Sequence, residues 1–231
     1  MNTRSLLRFG LVFVCLIAAV FMALKSVDRN IAFNQALKAA LQEPGDFQQA
    51  LTYIEPFVHD DCRINWQISL LALRMENPPN LDTKLNNMLD CSPKAVEWLY
   101  LMAPQRVDLA YRAAQLYPQE ARIWLWLGDL ARTDEDIELA DKYFTESTRL
   151  DPYYGLAWCR LGVVKERQGL LQDAVDAFWQ CCENGDPGSN GCNGAGRVAE
   201  KLNDIPSAIR YYRRSHWQPA LDRADELEAS R

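Results

Sequence analysis

Histidine is scarce in this chain: His59 and His216 are the only two histidines among its 231 residues. Neither accompanies a serine or cysteine nucleophile motif, and no glycine-rich phosphate loop ends in lysine. Zinc sites use paired ligands at short spacing, and no histidine lies near the clustered cysteines. We interpret His59 with Asp60 and Asp61 as a solvated turn, because three adjacent side chains seldom converge on one ion. We therefore expect no catalytic residue, cofactor or metal site, and no enzyme activity.

Long basic stretches are also missing. The chain has 25 lysines and arginines against 31 acidic residues, so its formal net charge is −6 and it lacks the electrostatic footprint of a nucleic-acid-binding protein. The one basic cluster, Arg210 with Arg213 and Arg214, is interpreted as the solvated face of a helix. Alternation of β-branched residues is nearly absent, while alanine, leucine, glutamate and arginine dominate the periodic segments. The sequence predicts an all-α protein.

Small residues recur in this chain at an interval of 34. Gly128, Gly162 and Gly196 have this spacing, and each is followed by an alanine and then by an aromatic residue. Small residues at fixed positions allow two helix axes to approach closely. The residues that share the register are Ala140, Ala174 and Ala208, then Phe144, Phe178 and Tyr212, with Trp124 and Trp158, Leu127 and Leu161, and Pro118 and Pro152. An ordinary helical bundle is the alternative, but amphipathicity gives no reason for small residues to recur at this interval.

A repeat with this length and these residues resembles the tetratricopeptide repeat (TPR) family. The resemblance implies a right-handed helical-hairpin solenoid, in which hairpins stack because one alone cannot bury its apolar face. We expect three repeats over 121–217, at 121–154, 155–188 and 189–217. A polar capping helix would follow over 218–231, and degenerate helical hairpins would precede the repeats over 26–120.

An apolar segment lies near the N-terminus. Phe9 to Leu24 carries no charge and is flanked by Arg8 and Lys25. As a helix it would span about 24 Å, short for a bilayer, although flanking basic side chains can extend its reach. A signal peptide is the alternative, but the small residues required for cleavage are interrupted by large ones. We predict a short tail over 1–8 and one uncleaved transmembrane helix over 9–25.

The charges around this segment leave its orientation nearly balanced. Arg4 and Arg8 precede it, and Lys25, Arg29 and Lys38 follow it. From the usual behaviour of bacterial anchors at the start of a chain, we place the C-terminal domain outside the cytoplasm. The prediction is a single-pass protein of the bacterial inner membrane.

Six cysteines lie outside the apolar segment, and an even number in an exported domain permits disulfides. A bridge between Cys182 and Cys192 would close a glycine-rich loop, and Cys62 with Cys91 is a second candidate pair. Two alternatives stay open. The cysteines could be buried thiols that act as small apolar residues, as the position of Cys181 suggests, or Cys181, Cys182 and Cys192 could form a thiol-active cluster.

The resemblance implies a function in protein binding. In similar proteins the first helices of successive repeats line a groove that holds a partner peptide or helix. The register assigns twelve groove residues: Arg122, Leu125, Asp129, Arg132, Cys159, Val163, Glu166, Arg167, Asn193, Arg197, Glu200 and Lys201. Carboxylate-clamp members of the family use lysine and asparagine at early positions where this chain has Leu125 and Asp129, so we do not expect it to recognise chaperone C-termini.

The sequence therefore predicts a noncatalytic, membrane-anchored adaptor or assembly scaffold that binds a membrane-associated protein partner. The membrane contact would be made through Phe9 to Leu24, with no nucleic acid involved. An accessory subunit of an enzyme of envelope polysaccharide or cytochrome assembly is one alternative. The thiol-active protein is the other.

Overall fold

The computed structural model describes residues 80–185 and 190–230, together with some single positions and short stretches between residues 28 and 69. The chain divides into two compact units, Met1–Ala95 and Val96–Arg231. Across 80–185 and 190–230 every regular element is a helix, which confirms the all-α prediction for these ranges. The helices are α1 Leu81–Cys91, α2 Ala95–Met102, α3 Val107–Leu116, α4 Ala121–Thr133, α5 Ile137–Leu150, α6 Gly155–Arg167, α7 Leu171–Asn184, α8 Gly191–Lys201, α9 Ile205–Arg214 and α10 Gln218–Ala229.

In the first unit, α1 buries an apolar face that includes Leu85, Met88 and Leu89. A disulfide joins its last residue, Cys91, to Cys62, with the two Cα atoms 5.4 Å apart. The hydroxyl of the buried Ser69 donates a hydrogen bond of 2.7 Å to the carbonyl of Lys84. The apolar segment predicted to cross a membrane lies outside the described residues. Among the helices that the structure describes, none has the length and apolar character to span a bilayer.

In the second unit, the glycines that recur at 34 lie where two helices of a hairpin touch. A Cβ at Gly162 would lie 2.8 Å from the Phe178 ring, and one at Gly196 would lie 2.6 Å from Tyr212. Gly128 has the same relation to Phe144. These aromatic rings are buried and occupy the space that a larger residue at each glycine would need. The recurrence therefore records close helix packing in the three hairpins α4–α5, α6–α7 and α8–α9.

The tryptophans and prolines of the register also contact one another. Trp124 Nε1 donates to the carbonyl of Pro118 at 2.9 Å, and Trp158 Nε1 donates to that of Pro152 at 2.8 Å. Each bond ties a first helix to the turn before it. The corresponding position in the third repeat is Cys192, which forms a disulfide with Cys182 instead.

The turns inside the hairpins repeat at 34 as well. Glu135, Gly169 and Asn203 have positive φ angles of 63°, 77° and 59°. The residue after each donates its N–H to a carbonyl near the end of the first helix, as in Asp136 to Ala131 at 2.9 Å. The first and third turns thus place a side chain in a backbone conformation that favours glycine.

The second unit extends beyond the three predicted repeats at both ends. The segment 26–120 includes α2 and α3, yet α3 and all of α2 after its first residue belong to the compact unit that begins at Val96. The indole of Trp126 donates to the carbonyl of Pro104 at 2.7 Å, which ties the turn between α2 and α3 to α4. At the C-terminal end, α10 buries Ala220, Ala224 and Leu227 and exposes its charged side chains to solvent.

Candidate binding surface

The first helices α4, α6 and α8 each carry an acidic residue that pairs with basic side chains. The acids are Asp129, Glu166 and Glu200, and all three belong to the predicted groove set. In each case at least one basic partner lies on a later first helix or on the capping helix. Among the predicted groove residues, Glu166 thus contacts Arg197 and Lys201 across a repeat boundary.

Glu166 pairs with two basic side chains of α8. Arg197 donates to both of its carboxylate oxygens, and Lys201 Nζ donates to Oε1 at 2.6 Å. The hydrogen bonds from Arg197 are the largest cause that lowers the pKa of Glu166, to about 2; Lys201 adds to this effect, while burial opposes it. The Glu166 side chain is only 14% exposed. The three residues form an inter-repeat clasp between α6 and α8.

Glu200 makes an equivalent link between α8 and α10, the helix that follows the third hairpin. Arg223 Nη2 donates to its carboxylate at 2.6 Å, and the Tyr212 hydroxyl donates at 2.7 Å. The Arg223 hydrogen bonds are the main reason that the pKa of Glu200 is lowered. Burial, and then the bond to Glu200, raise the pKa of Tyr212, so its hydroxyl remains a proton donor.

Asp129 lies at the side of an open cleft. It accepts a hydrogen bond of 2.6 Å from the Tyr100 hydroxyl, and the Nε atoms of Arg160 and Arg132 lie 3.1 and 3.2 Å from its Oδ1. Burial, and then the bond to Asp129, raise the pKa of Tyr100 to about 12, which keeps its hydroxyl protonated. The cleft has a volume of about 320 Å³ and is lined by Tyr100, Leu101, Pro104, Gln105, Asp129, Leu130, Arg132, Thr133 and Arg160.

The prediction is wrong for Leu125, which is 0% exposed and belongs to the core formed by α4, α5, α6 and α7. Two other predicted groove residues are partly exposed and have contacts within the array. Cys159 is bonded to Cys181. Val163 packs against the core formed by α7, α8, α9 and α10.

The other predicted groove residues keep at least part of their surface exposed. Arg122, Arg167, Arg197 and Lys201 are exposed, while Asn193 is half-buried. The Nη1 atom of Arg122 lies 3.7 Å from Oε2 of Glu97.

Two residues of the cleft were missed from the sequence. Tyr100 was missed because the register is blurred before residue 121. Arg160 was missed because it lies one position beyond the residue that the register selects. A search for a cation opposite Asp129 on the next first helix could have found Arg160.

The cysteines form three disulfides. Cys182 pairs with Cys192 and Cys62 with Cys91, the two pairs named from the sequence. The third bridge, between Cys159 and Cys181, was not predicted, and its Cα atoms are 5.0 Å apart. Cys181 is therefore bridged in the structure, whereas a buried thiol was one of the alternatives left open by the sequence. Two adjacent cysteines of α7 thus form disulfides with α6 and with α8.

No group of histidine, cysteine and acidic side chains suited to a metal ion occurs in the described part of the chain.

This architecture defines a class: an array of helical hairpins that share a register of 34 residues. A family profile described as tetratricopeptide repeat matches residues 121–154, which supports the resemblance stated from the sequence. The sequence matches no curated protein.

Solved structures give a comparison at the level of the fold. PilF of Pseudomonas aeruginosa is 16% identical, with a TM-score of 0.53, over 89% of this chain and 99% of that one. A crystal structure of MamA is 16% identical over 82% of this chain and 94% of that one, with a TM-score of 0.40. At this identity the likeness to PilF shows a shared TPR-like helical fold and no more.

Proposed function

We propose that the chain is a noncatalytic scaffold that binds a protein partner on the surface formed by the first helices of its repeats. The observation that carries the proposal is the cleft on this surface, where the partly exposed Arg132 and Arg160 lie beside apolar walls. Open clefts that combine apolar area with a few fixed polar groups are typical of binding sites. The clasp of Glu166 and the link of Glu200 support a rigid array, which reduces the entropy lost when a partner binds.

We further propose that residues 9–24 anchor this scaffold in the bacterial inner membrane, with the repeats outside the cytoplasm. The uncharged segment and its basic flanks support the anchor. The three disulfides support the oxidising side of the membrane, because such bonds persist there and are rare in the cytosol. An anchor would raise the effective concentration of the scaffold toward a membrane-associated partner.

Site-specific crosslinking in intact cells tests the binding surface. A photoreactive amino acid replaces the exposed Arg167 on α6, and the matched control carries it at the exposed Gln180 on α7. We expect a defined adduct from position 167 and none from position 180, since only the former lies on a first helix. An adduct from position 180 alone, or equal adducts from both, would contradict the proposal.

The crosslinked species also separates the alternatives. Mass spectrometry of the adduct identifies the partner, and an envelope-assembly enzyme there would favour the accessory-subunit alternative. For the thiol-active alternative, Cys181 and Cys182 are both bridged in the structure, so neither offers a thiolate while the disulfides are intact.

A further inference from the structure

The cleft beside Asp129 carries an excess of positive charge. The residues that line it include two arginines and one carboxylate, with no lysine, glutamate or histidine. Tyr100 stays neutral, because its hydroxyl donates to Asp129 and is partly buried. The lining therefore has a net charge of +1, whereas the whole chain has a net charge of −6.

The two guanidinium groups keep donors for a further acceptor. Arg132 and Arg160 both approach Asp129 through Nε, and their side chains are 32% and 37% exposed. A guanidinium has five N–H donors in a planar fork, so one carboxylate shared by two arginines uses only part of this capacity. By contrast, Glu166 is fully engaged by Arg197 and Lys201 in the clasp. The cleft is where this surface can receive an added anionic group.

An apolar strip adjoins the charged part of the cleft. Leu101 lines the cleft and is 65% exposed, and Trp98 and Met102 are also exposed large side chains of α2. Residues at i, i+3 and i+4 share one face of a helix, so these three side chains lie along the same side of α2, which we call the apolar strip. Exposed apolar area next to fixed charge is typical of protein interaction sites.

We propose that this cleft binds a partner segment in which an acidic side chain lies next to an apolar one. The acidic group would bind the free guanidinium donors of Arg132 and Arg160, and the apolar side chain would pack on Leu101. This inference rests on the proposed function and specifies the chemistry of the partner. Charge complementarity selects the acid, and the strip on α2 selects its apolar neighbour.

Selection from a phage-displayed library of random peptides on the immobilised full chain in detergent tests the sequence preference. We expect enrichment of peptides that place aspartate or glutamate beside leucine, isoleucine or an aromatic residue. Enrichment of basic or uncharged peptides would overturn the inference while leaving peptide binding, and so the proposed function, in place. Failure to enrich any peptide, together with no adduct from position 167, would count against both.

Fluorescence anisotropy of the most enriched peptide then tests the residues. We expect R160Q to weaken binding by about tenfold to a hundredfold through loss of a charge-assisted hydrogen bond. Arg149, which pairs with Glu146 within α5, provides the matched control, and R149Q should leave the affinity unchanged. L101S should weaken binding too, and the affinity should fall as salt is raised. Equal affinity of R160Q and the unaltered chain would overturn the proposal.

The Asp129→Asn variant is expected to bind more tightly, and misfolding would instead weaken binding. Removing the carboxylate raises the net charge of the cleft and frees donors on both arginines, so the acidic peptide should bind more tightly by several-fold. Unchanged or weaker binding by D129N, with the helical circular dichroism intact, would overturn the proposal. A dimer of the full chain that L101S dissociates would show a second copy on this face and would overturn it as well.

Discussion

Replacing Glu166 by glutamine tests whether the repeats are held together by the inter-repeat clasp. Glutamine keeps the size of the side chain and removes its charge, so Arg197 and Lys201 lose the anion that they share. Both basic groups lie on α8, while Glu166 lies on α6. The substitution should therefore weaken the association of the second and third repeats without changing the core of either.

The magnitude follows from the lowered pKa of Glu166. A fall from 4.5 to about 2 corresponds to an upper bound of roughly 3 kcal/mol of native-state stabilisation at neutral pH. Arg197 and Lys201 are 46% and 50% exposed, so solvent screens part of this interaction. We expect E166Q to lower the free energy of unfolding by about 1 to 2 kcal/mol at pH 7.

The pH dependence has a defined sign. Because the folded-state pKa lies below the unfolded value of 4.5, the stabilisation is complete above that value and is lost as the pH falls through about 2. Urea denaturation of the unaltered chain and E166Q should differ most at pH 7 and progressively less toward acid.

Glu146 serves as the control for this prediction. It forms an exposed pair with Arg149 inside a single helix, so E146Q should have a smaller effect. An E166Q variant no less stable than E146Q at pH 7 would contradict a stabilising clasp. A difference between E166Q and the unaltered chain that stays the same at low pH would contradict it too.

Three further variants test the repeat geometry. Gly162→Ala should lower the stability by about 1 to 3 kcal/mol in thermal or urea unfolding, because the added Cβ overlaps the buried ring of Phe178. Glu135→Gly should raise the stability by up to about 1 kcal/mol in the same assay, because its φ of 63° suits glycine. Replacing Cys182 and Cys192 together by serine should lower the stability by about 2 to 3 kcal/mol, the entropy of closing a loop of ten-residue separation.

Each variant has a result that would contradict the expected effect. A Gly162→Ala variant with unchanged stability would mean that the two helices separate easily at the glycine contact. Destabilisation by Glu135→Gly would mean that the side chain makes contacts worth more than the backbone strain. A Cys182 and Cys192 double variant as stable as the unaltered chain under oxidising conditions would show that the bridge adds nothing to the third repeat.

The sequence predicts the hairpins because their contacts depend on residue size at fixed intervals. Gly128 and Phe144 touch within one hairpin, so a local register is sufficient to place them. The contacts between repeats are less predictable. The register assigns Glu166, Arg197 and Lys201 to one face, but whether long side chains pair with each other or with a partner depends on the distance between helices.

Two further differences have physical causes. Leu125 occupies a groove position in the register, yet its apolar side chain gains more from burial in the core of α4 to α7 than from solvent exposure. Cys159 and Cys181 form a bridge, and a buried thiol and a buried disulfide require similar space, so residue type alone cannot distinguish them. The cleft requires Tyr100, which lies in the segment where the register is blurred.

The proposed partner-binding surface is formed by the first helices of the repeats. The most direct measurement is amide hydrogen exchange of the full chain in detergent, with and without the partner that crosslinking identifies. We expect added protection in α4 and α6 and at the end of α2, with little change in α5, α7 and α9. Protection confined to those second helices, or none in either set, would contradict it.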